Sequence, residues 1–248
     1  MVLNYITSMI PATAHRSKPR VNRGADLHMD FSKMSAEERI RWATEHFPGK
    51  AILTTSFGAQ SSALLHLASR IQPNLTVLFI DTGYHFPETL SFAEDLTHRL
   101  QLNLRTYRPL LSPSEIEDRH GKIWEKGPEG LEKFHEIIRV EPLRRALQEL
   151  DPELWIAGLR RASSESRQKM DFLSRQDSRY KFLPLLDWSD RDLGQYLKTH
   201  SLPYHPLWAQ GYVSIGDRVT TKRLDEVSDP SQLRHFGWKR ECGIHDRV

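Results

Sequence analysis

Short apolar runs, each next to a stretch with helical spacing, recur along this chain, and that alternation constrains its fold more than any other feature. Ala51–Thr55 leads into a helical pattern at 60–70, and Thr76–Ile80 into one at 87–101. Leu104–Tyr107 precedes the helix start Ser112-Pro113-Ser114-Glu115. Leu154–Ala157 follows a helix that ends near Leu150, and Lys181–Leu183 reads as a weaker strand. An amphipathic helix from Ser35 to Pro48-Gly49, carrying Ile40, Trp42, Ala43 and Phe47, precedes the series, and a helix over 189–199 closes it. Strands buried on both faces read as continuous apolar runs, so the pattern predicts an α/β fold with a doubly wound, mainly parallel sheet.

In such sheets ligands sit beyond the carboxyl ends of the strands, which makes the segments after the strands the candidate site. At the end of the first strand stands the junction Thr54-Thr55-Ser56-Phe57-Gly58-Ala59-Gln60-Ser61-Ser62. Small and hydroxylic residues there leave backbone N–H groups free to face an anion, and the helix that follows adds its positive end. An ordinary helix cap is the competing explanation for the same residues. After the second strand come Asp81-Thr82-Gly83, and after the fourth Gly158-Leu159-Arg160-Arg161, whose two guanidiniums suit phosphate or sulfate oxygens. Three ligand-type loops on one rim point to an anionic nucleotide.

The 35 basic and 32 acidic residues nearly cancel, so a nucleic-acid partner is not expected and small anions fit better. No apolar run approaches the ~18 residues that span a bilayer, so no membrane partner is expected either. The single cysteine, Cys242, precludes an intrachain disulfide and any Cys-rich zinc or iron–sulfur site, and suits a reducing cytoplasm. The twelve histidines are scattered without a metal-ligand spacing, so no bound metal is expected.

Three regions are expected: a disordered extension over 1–30, a nucleotide-binding domain over 31–228, and a C-terminal tail over 229–248 that is mobile from about Arg234 until nucleotide binds. Cys242 lies seven residues from the end, and Lys239, Arg240 and His245 favour its thiolate while Glu241 opposes them. These neighbours suit a nucleophile; an inert buried thiol is the alternative.

With these segments the chain resembles the thioredoxin-dependent phosphoadenylyl-sulfate reductases over roughly residues 35–246. The resemblance is carried by Thr54–Gly58, Asp81–Thr89, Val140–Leu143, Gly158–Arg161, Tyr212–Asp217 and Glu241–His245. It implies the adenine-nucleotide α-hydrolase-like fold. ATP-hydrolysing relatives carry Ser-Gly-Gly-x-Asp-Ser in the first loop, where this chain has Phe57 and Gln60, which argues against release of pyrophosphate from ATP. The family often has Glu-Gln-Ser after Gly-Leu-Arg-Arg, where this chain has Ala162-Ser163-Ser164, while Arg160, Arg161 and Arg167 remain. A related branch acts on adenylyl sulfate with an iron–sulfur cluster whose cysteines are absent here.

The resemblance further implies that the Cys242 thiolate takes the sulfo group from 3′-phosphoadenylyl sulfate, with His245 as the second catalytic residue. Ser56, Phe57, Gly58, Gln60, Ser61, Asp81, Thr82, Gly83, Arg160, Arg161, Arg167, Tyr212, Arg234 and Lys239 are the expected substrate contacts. Thioredoxin or glutaredoxin supplies the reducing thiols, no cofactor is bound, and two chains can pair through their Cys242 thiols. The rival readings are a cluster-free adenylyl-sulfate reductase, an ATP-dependent adenylyl transferase of the same superfold, and a non-enzymatic nucleotide-binding regulator.

Overall fold

The computed structural model describes residues 29–238. Lys239, Cys242, His245 and nearly all of the expected N-terminal extension lie outside the described residues.

Six strands form one sheet: β1 (Ala51–Thr55), β2 (Thr76–Ile80), β3 (Asn103–Tyr107), β4 (Leu154–Ala157), β5 (Leu173–Gln176) and β6 (Arg179–Phe182). Their order is β3-β2-β1-β4-β6-β5, and every neighbouring pair is parallel except β5 with β6. The expected α/β sheet is therefore present. The hairpin strand β5 is an addition, because its sequence, Leu-Ser-Arg-Gln, is too short and polar to stand out from a loop.

Side chains that alternate along the strands divide the core in two. Leu53, Val77, Phe79 and Ile156 face α1 (Ala36–His46), α2 (Ser62–Ile71) and α3 (Pro87–Leu100), in a cluster with Ile40, Trp42, Leu65 and Leu96. Ile52, Leu78, Ile80 and Trp155 face the other way, onto Leu143, Ala146 and Leu147. The latter three sit on α6 (Glu141–Leu150), which α4 (Pro113–His120) and α5 (Gly127–His135) precede. Between α5 and α6 the chain winds one π-helical turn, Glu136–Val140. Local rules set the ends: Ser35 with Glu38, Ser112 with Glu115, and Ser189 with Asp192 form reciprocal caps for α1, α4 and α7 (Asp190–Thr199).

The topology places the site. The chain runs outward from β1 through β2 to β3, then returns to lay β4 on the opposite side of β1. The direction reverses at the carboxyl ends of β1 and β4, the position at which sheets of this kind form their ligand crevice. Beyond α7 the chain is a series of short 3-10 turns lying back across the rim. The loosely held chain expected from about Arg234 is seated at its start: Leu233 and His235 are buried, and Arg234 pairs with Thr221 in a β-bridge.

Candidate active site

The register of β1 with β4 sets Thr54 beside Ala157, which brings Ser56–Ser61 and Gly158–Arg161 to the two walls of the crevice. In the first wall the Phe57 backbone N–H donates to Thr55 Oγ1 at 3.0 Å, and Phe57 adopts a left-handed backbone with φ of 47°. A bulky residue rarely sits there, since its Cβ crowds the backbone. Here the ring is fully buried edge-on to Phe79, 5.1 Å between centroids, so core packing offsets the strain and the backbone turns as a glycine would.

The turn delivers the chain into α2 without a side-chain cap. Ser61 at the cap position donates its hydroxyl back to the Gly58 carbonyl at 3.0 Å, and the first turn of α2 holds no acid. The positive end of the helix dipole thus remains uncancelled at the crevice floor. Two contacts from the far end of the chain fasten the loop: Ser62 Oγ donates to the Pro203 carbonyl at 2.6 Å and the His205 N–H to the Ala59 carbonyl at 3.0 Å.

From the second wall Arg160, almost entirely buried, spans the crevice. Its guanidinium donates to Gln60 Oε1 at 3.4 Å, to the Trp188 carbonyl at 3.1 Å and to Asp190 Oδ1 at 2.8 Å. Arg161 turns elsewhere, donating to the Met170 carbonyl at 2.8 Å with its guanidinium over the Phe172 ring. Arg167 is half-buried on the 3-10 turn that follows, Glu165–Arg167. The structure therefore brings Arg160 to the anion loop and directs Arg161 to the Met170 carbonyl.

The neighbouring rim loop is locked from below. Asp81 accepts from the Gly83 N–H at 3.2 Å and from Arg108 Nε at 2.8 Å. Gly83 has φ of 78°, and a Cβ there would press on Pro113, so two separate constraints require glycine. Thr82 is buried and donates to Asp217 Oδ1 at 2.7 Å. Asp217 Oδ2 accepts from Arg139 at 2.6 and 3.0 Å, both side chains being at most 5% exposed. Burial alone would raise the pKa of this carboxyl. The Arg139 guanidinium and the Thr82 hydroxyl outweigh it and hold Asp217 well below the usual carboxylate range. Asp217 also pairs with His85 as a β-bridge and accepts Thr221 Oγ1 at its carbonyl, 2.8 Å away.

Asp217 and Arg139 were not legible as a pair. Asp217 closes the Tyr212–Asp217 motif and Arg139 precedes Val140–Leu143, but nothing in the spacing shows that the two meet. From the same motif Tyr212 packs edge-on to Phe86, 5.2 Å between centroids, in an apolar patch with Ala59, Leu207 and Ile215 beside the anion loop. Arg234 arrives there too, donating to the Ile215 carbonyl at 2.9 Å.

The family model for the phosphoadenosine phosphosulfate reductase domain matches residues 50–223, which contain both walls of the crevice and the Asp217 lock. The chain belongs to this reductase family. Among relatives of the reductase family, the phosphoadenosine 5′-phosphosulfate reductase of Xylella fastidiosa strain M23 is 50% identical over 222 residues, 90% of this chain and 94% of that one. That of Xanthomonas campestris pv. campestris strain B100 is 47% identical over 239 residues, 96% and 99% of the two chains. Among solved structures, the phosphoadenylyl-sulfate reductase of Candida auris, a phosphate complex, superposes with a TM-score of 0.68 at 29% identity. It covers 78% of this chain and 93% of its own. The FMN adenylyltransferase of Candida glabrata shares the fold, with a TM-score of 0.57 at 16% identity, covering 86% of this chain and 71% of its own.

His205 gives the reductase domain a measurable pH dependence. Its Nδ1 accepts the Leu207 N–H, so the proton sits on Nε2 and is donated to Thr89 Oγ1 at 2.9 Å. Burial pulls its pKa down from 6.5 to about 4. Above pH 6.5 the ring is neutral in both folded and unfolded chains and adds no pH dependence. Between 6.5 and about 4 only the unfolded chain takes up the proton, so stability falls as pH falls, with a slope of up to ~1.4 kcal/mol per pH unit from this group. His85 and His235, also lowered by burial, act in the same direction. Urea unfolding at pH 7 and 5 should show the loss, and His205→Gln should reduce it; equal slopes in both proteins would reject the assignment.

Proposed function

We propose that this chain reduces 3′-phosphoadenylyl sulfate to sulfite and adenosine 3′,5′-bisphosphate in sulfate assimilation, with reduced thioredoxin or glutaredoxin as donor. What carries the reading is 50% identity to a phosphoadenosine 5′-phosphosulfate reductase over 90% of this chain. The crevice geometry supports it. Uncapped amides at the start of α2, Arg160 opposite, and Arg234 beside the loop suit the oxygens of a phosphosulfate.

In the first step the Cys242 thiolate attacks the sulfo sulfur. The bond from sulfur to the bridging oxygen breaks, and its electron pair leaves on the phosphate of adenosine 3′,5′-bisphosphate. Cations on that phosphate stabilise the developing charge. In the second step an external thiolate attacks Cys242 Sγ and sulfite departs with the electron pair of the S–S bond. The remaining mixed disulfide is opened by the second thiol of the donor, which restores Cys242 and leaves the donor oxidised. One cysteine per chain cannot ligate a cluster and cannot resolve its own adduct, so the proposal needs no cofactor and does need that donor. We place the reaction in the cytoplasm, where such donors stay reduced. No helix among the described residues is long and apolar enough to cross a membrane.

The test is incubation with substrate and no reductant. Intact mass should show one sulfo group per chain, absent in Cys242→Ser, that reduced thioredoxin removes as sulfite. Direct sulfite release with no adduct under any quench would overturn the two-step scheme. Equal turnover of adenylyl sulfate would remove the role of the 3′-phosphate. Air oxidation without substrate should give a Cys242-linked dimer on non-reducing gels.

A further inference from the structure

Gly216 lies in the turn that leads into Asp217, and nothing in its own backbone calls for glycine: its φ is outside the left-handed region that penalises a side chain. The reason lies above it. A Cβ built on Gly216 would overlap the Arg234 guanidinium, meeting Nη2, Cζ and Nη1 together. The guanidinium therefore lies flat over the glycine Cα, and Nη1 donates to the preceding carbonyl, that of Ile215, at 2.9 Å. That carbonyl also borders the anion loop, lying 3.8 Å from where a Cβ on Gly58 would sit. One peptide unit thus separates Arg234 from the loop.

Both ends of this arrangement are fixed. On one side Asp217, next in sequence to Gly216, is locked by Arg139 and Thr82. On the other, Arg234 is held by its backbone bridge to Thr221 and by buried Leu233 and His235 on either side of it. A methyl group on Gly216 would occupy the place of the guanidinium, so the far end of the arginine side chain must move.

We propose that Gly216 is a positioning residue: by offering no side chain, it seats the Arg234 guanidinium against the Ile215 carbonyl and aims it at the anionic groups bound on Ser56–Gly58. This inference rests on the proposed substrate. Contact with the Gly216 surface and the bond to the Ile215 carbonyl cut the rotamer freedom that a long cationic side chain otherwise loses on binding.

The geometry sets up a double-mutant cycle. Binding of adenosine 3′,5′-bisphosphate is measured by calorimetry for wild type, Gly216→Ala, Arg234→Ala and the double variant, with thermal unfolding of each. Arg234→Ala should weaken binding roughly tenfold to a hundredfold, the loss of one charge-assisted contact. Gly216→Ala should match it within about threefold and unfold at a lower temperature than wild type. In the double variant the methyl fills space that the guanidinium has left, so affinity should equal that of Arg234→Ala alone and thermal stability should return to that variant's value. A destabilised Gly216→Ala therefore still leaves the double variant to decide. Wild-type affinity in either single variant, or losses that multiply in the double, would overturn the seat. The reaction itself is checked separately, by sulfite formation in wild type: absence of sulfite with an intact binding cycle would reject the reaction and sustain the seat.

Discussion

Cys242→Ser is expected to abolish sulfite formation while leaving affinity for adenosine 3′,5′-bisphosphate within about tenfold of wild type. A serine hydroxyl is scarcely ionised at neutral pH, and an oxygen adduct could not be cleaved by thiols to give sulfite, so both chemical steps fail together. Binding is spared because the groups that suit the nucleotide belong to the crevice. The start of α2, Arg160 and Arg234 all lie among the described residues, and Arg160 and Arg234 are held there by Asp190 and the Ile215 carbonyl. Sulfite assays with saturating reduced thioredoxin, paired with calorimetry on the same preparation, check both halves. Turnover above a few per cent of wild type would remove Cys242 from the mechanism, and a hundredfold loss of affinity would show that the thiol also builds the binding site.

The second large effect concerns stability. Asp217→Asn keeps the shape of the side chain and removes its charge, which leaves the Arg139 guanidinium buried with its carboxylate partner gone. Breaking a buried ion pair from one side costs about 3–5 kcal/mol, because the surviving charge has lost its compensation. In a chain of this length that corresponds to a fall in melting temperature on the order of 10 °C. The same change loosens Thr82, whose hydroxyl now faces an amide that cannot accept equally through both of its atoms. Replacing Arg139 and Asp217 together by Met and Leu should recover much of the loss, since a well-packed apolar pair avoids the desolvation of both charges. Differential scanning calorimetry on the three variants distinguishes the outcomes. A change under 1 kcal/mol in Asp217→Asn would mean that the pair is solvated, contrary to its burial.

What could be read from the amino-acid sequence follows from the range of the forces involved. The strands Ala51–Thr55, Thr76–Ile80 and Leu154–Ala157 have the expected boundaries, because an apolar run bounded by turn residues is a local signal. The loop at Ser56–Ser61 was legible for the same reason: small residues between a strand and a helix mark a junction whatever the rest of the chain does. Strand β5 was not, since Leu173–Gln176 is held only by pairing with β6. The divergence of Arg160 from Arg161 could not be read either. Adjacent residues point to different neighbours, and here one neighbour is Gln60 across the crevice while the other is the Met170 carbonyl. Thr82 donates to Asp217, a partner 135 residues away that no local pattern announces. Phe57 was legible as a departure from the ATP-hydrolysing pattern, but its left-handed backbone and the packing of its ring against Phe79 were not.

The long-range clips on the anion loop also bear on how the molecule comes into being. Ser62 is tied to Pro203, 141 residues later, and the rim beside it waits for Ile215, Asp217 and Arg234. A nascent chain that has reached residue 200 already holds all six strands of the sheet, including β5 at its far edge, and can bury most of its core. Its nucleotide loop is still unfinished. Contacts of such high sequence separation form late, after the local elements have condensed. Nucleotide cannot therefore act as a template for early folding, and a ribosome-bound fragment ending before Pro203 should bury the sheet while remaining unable to hold the ligand.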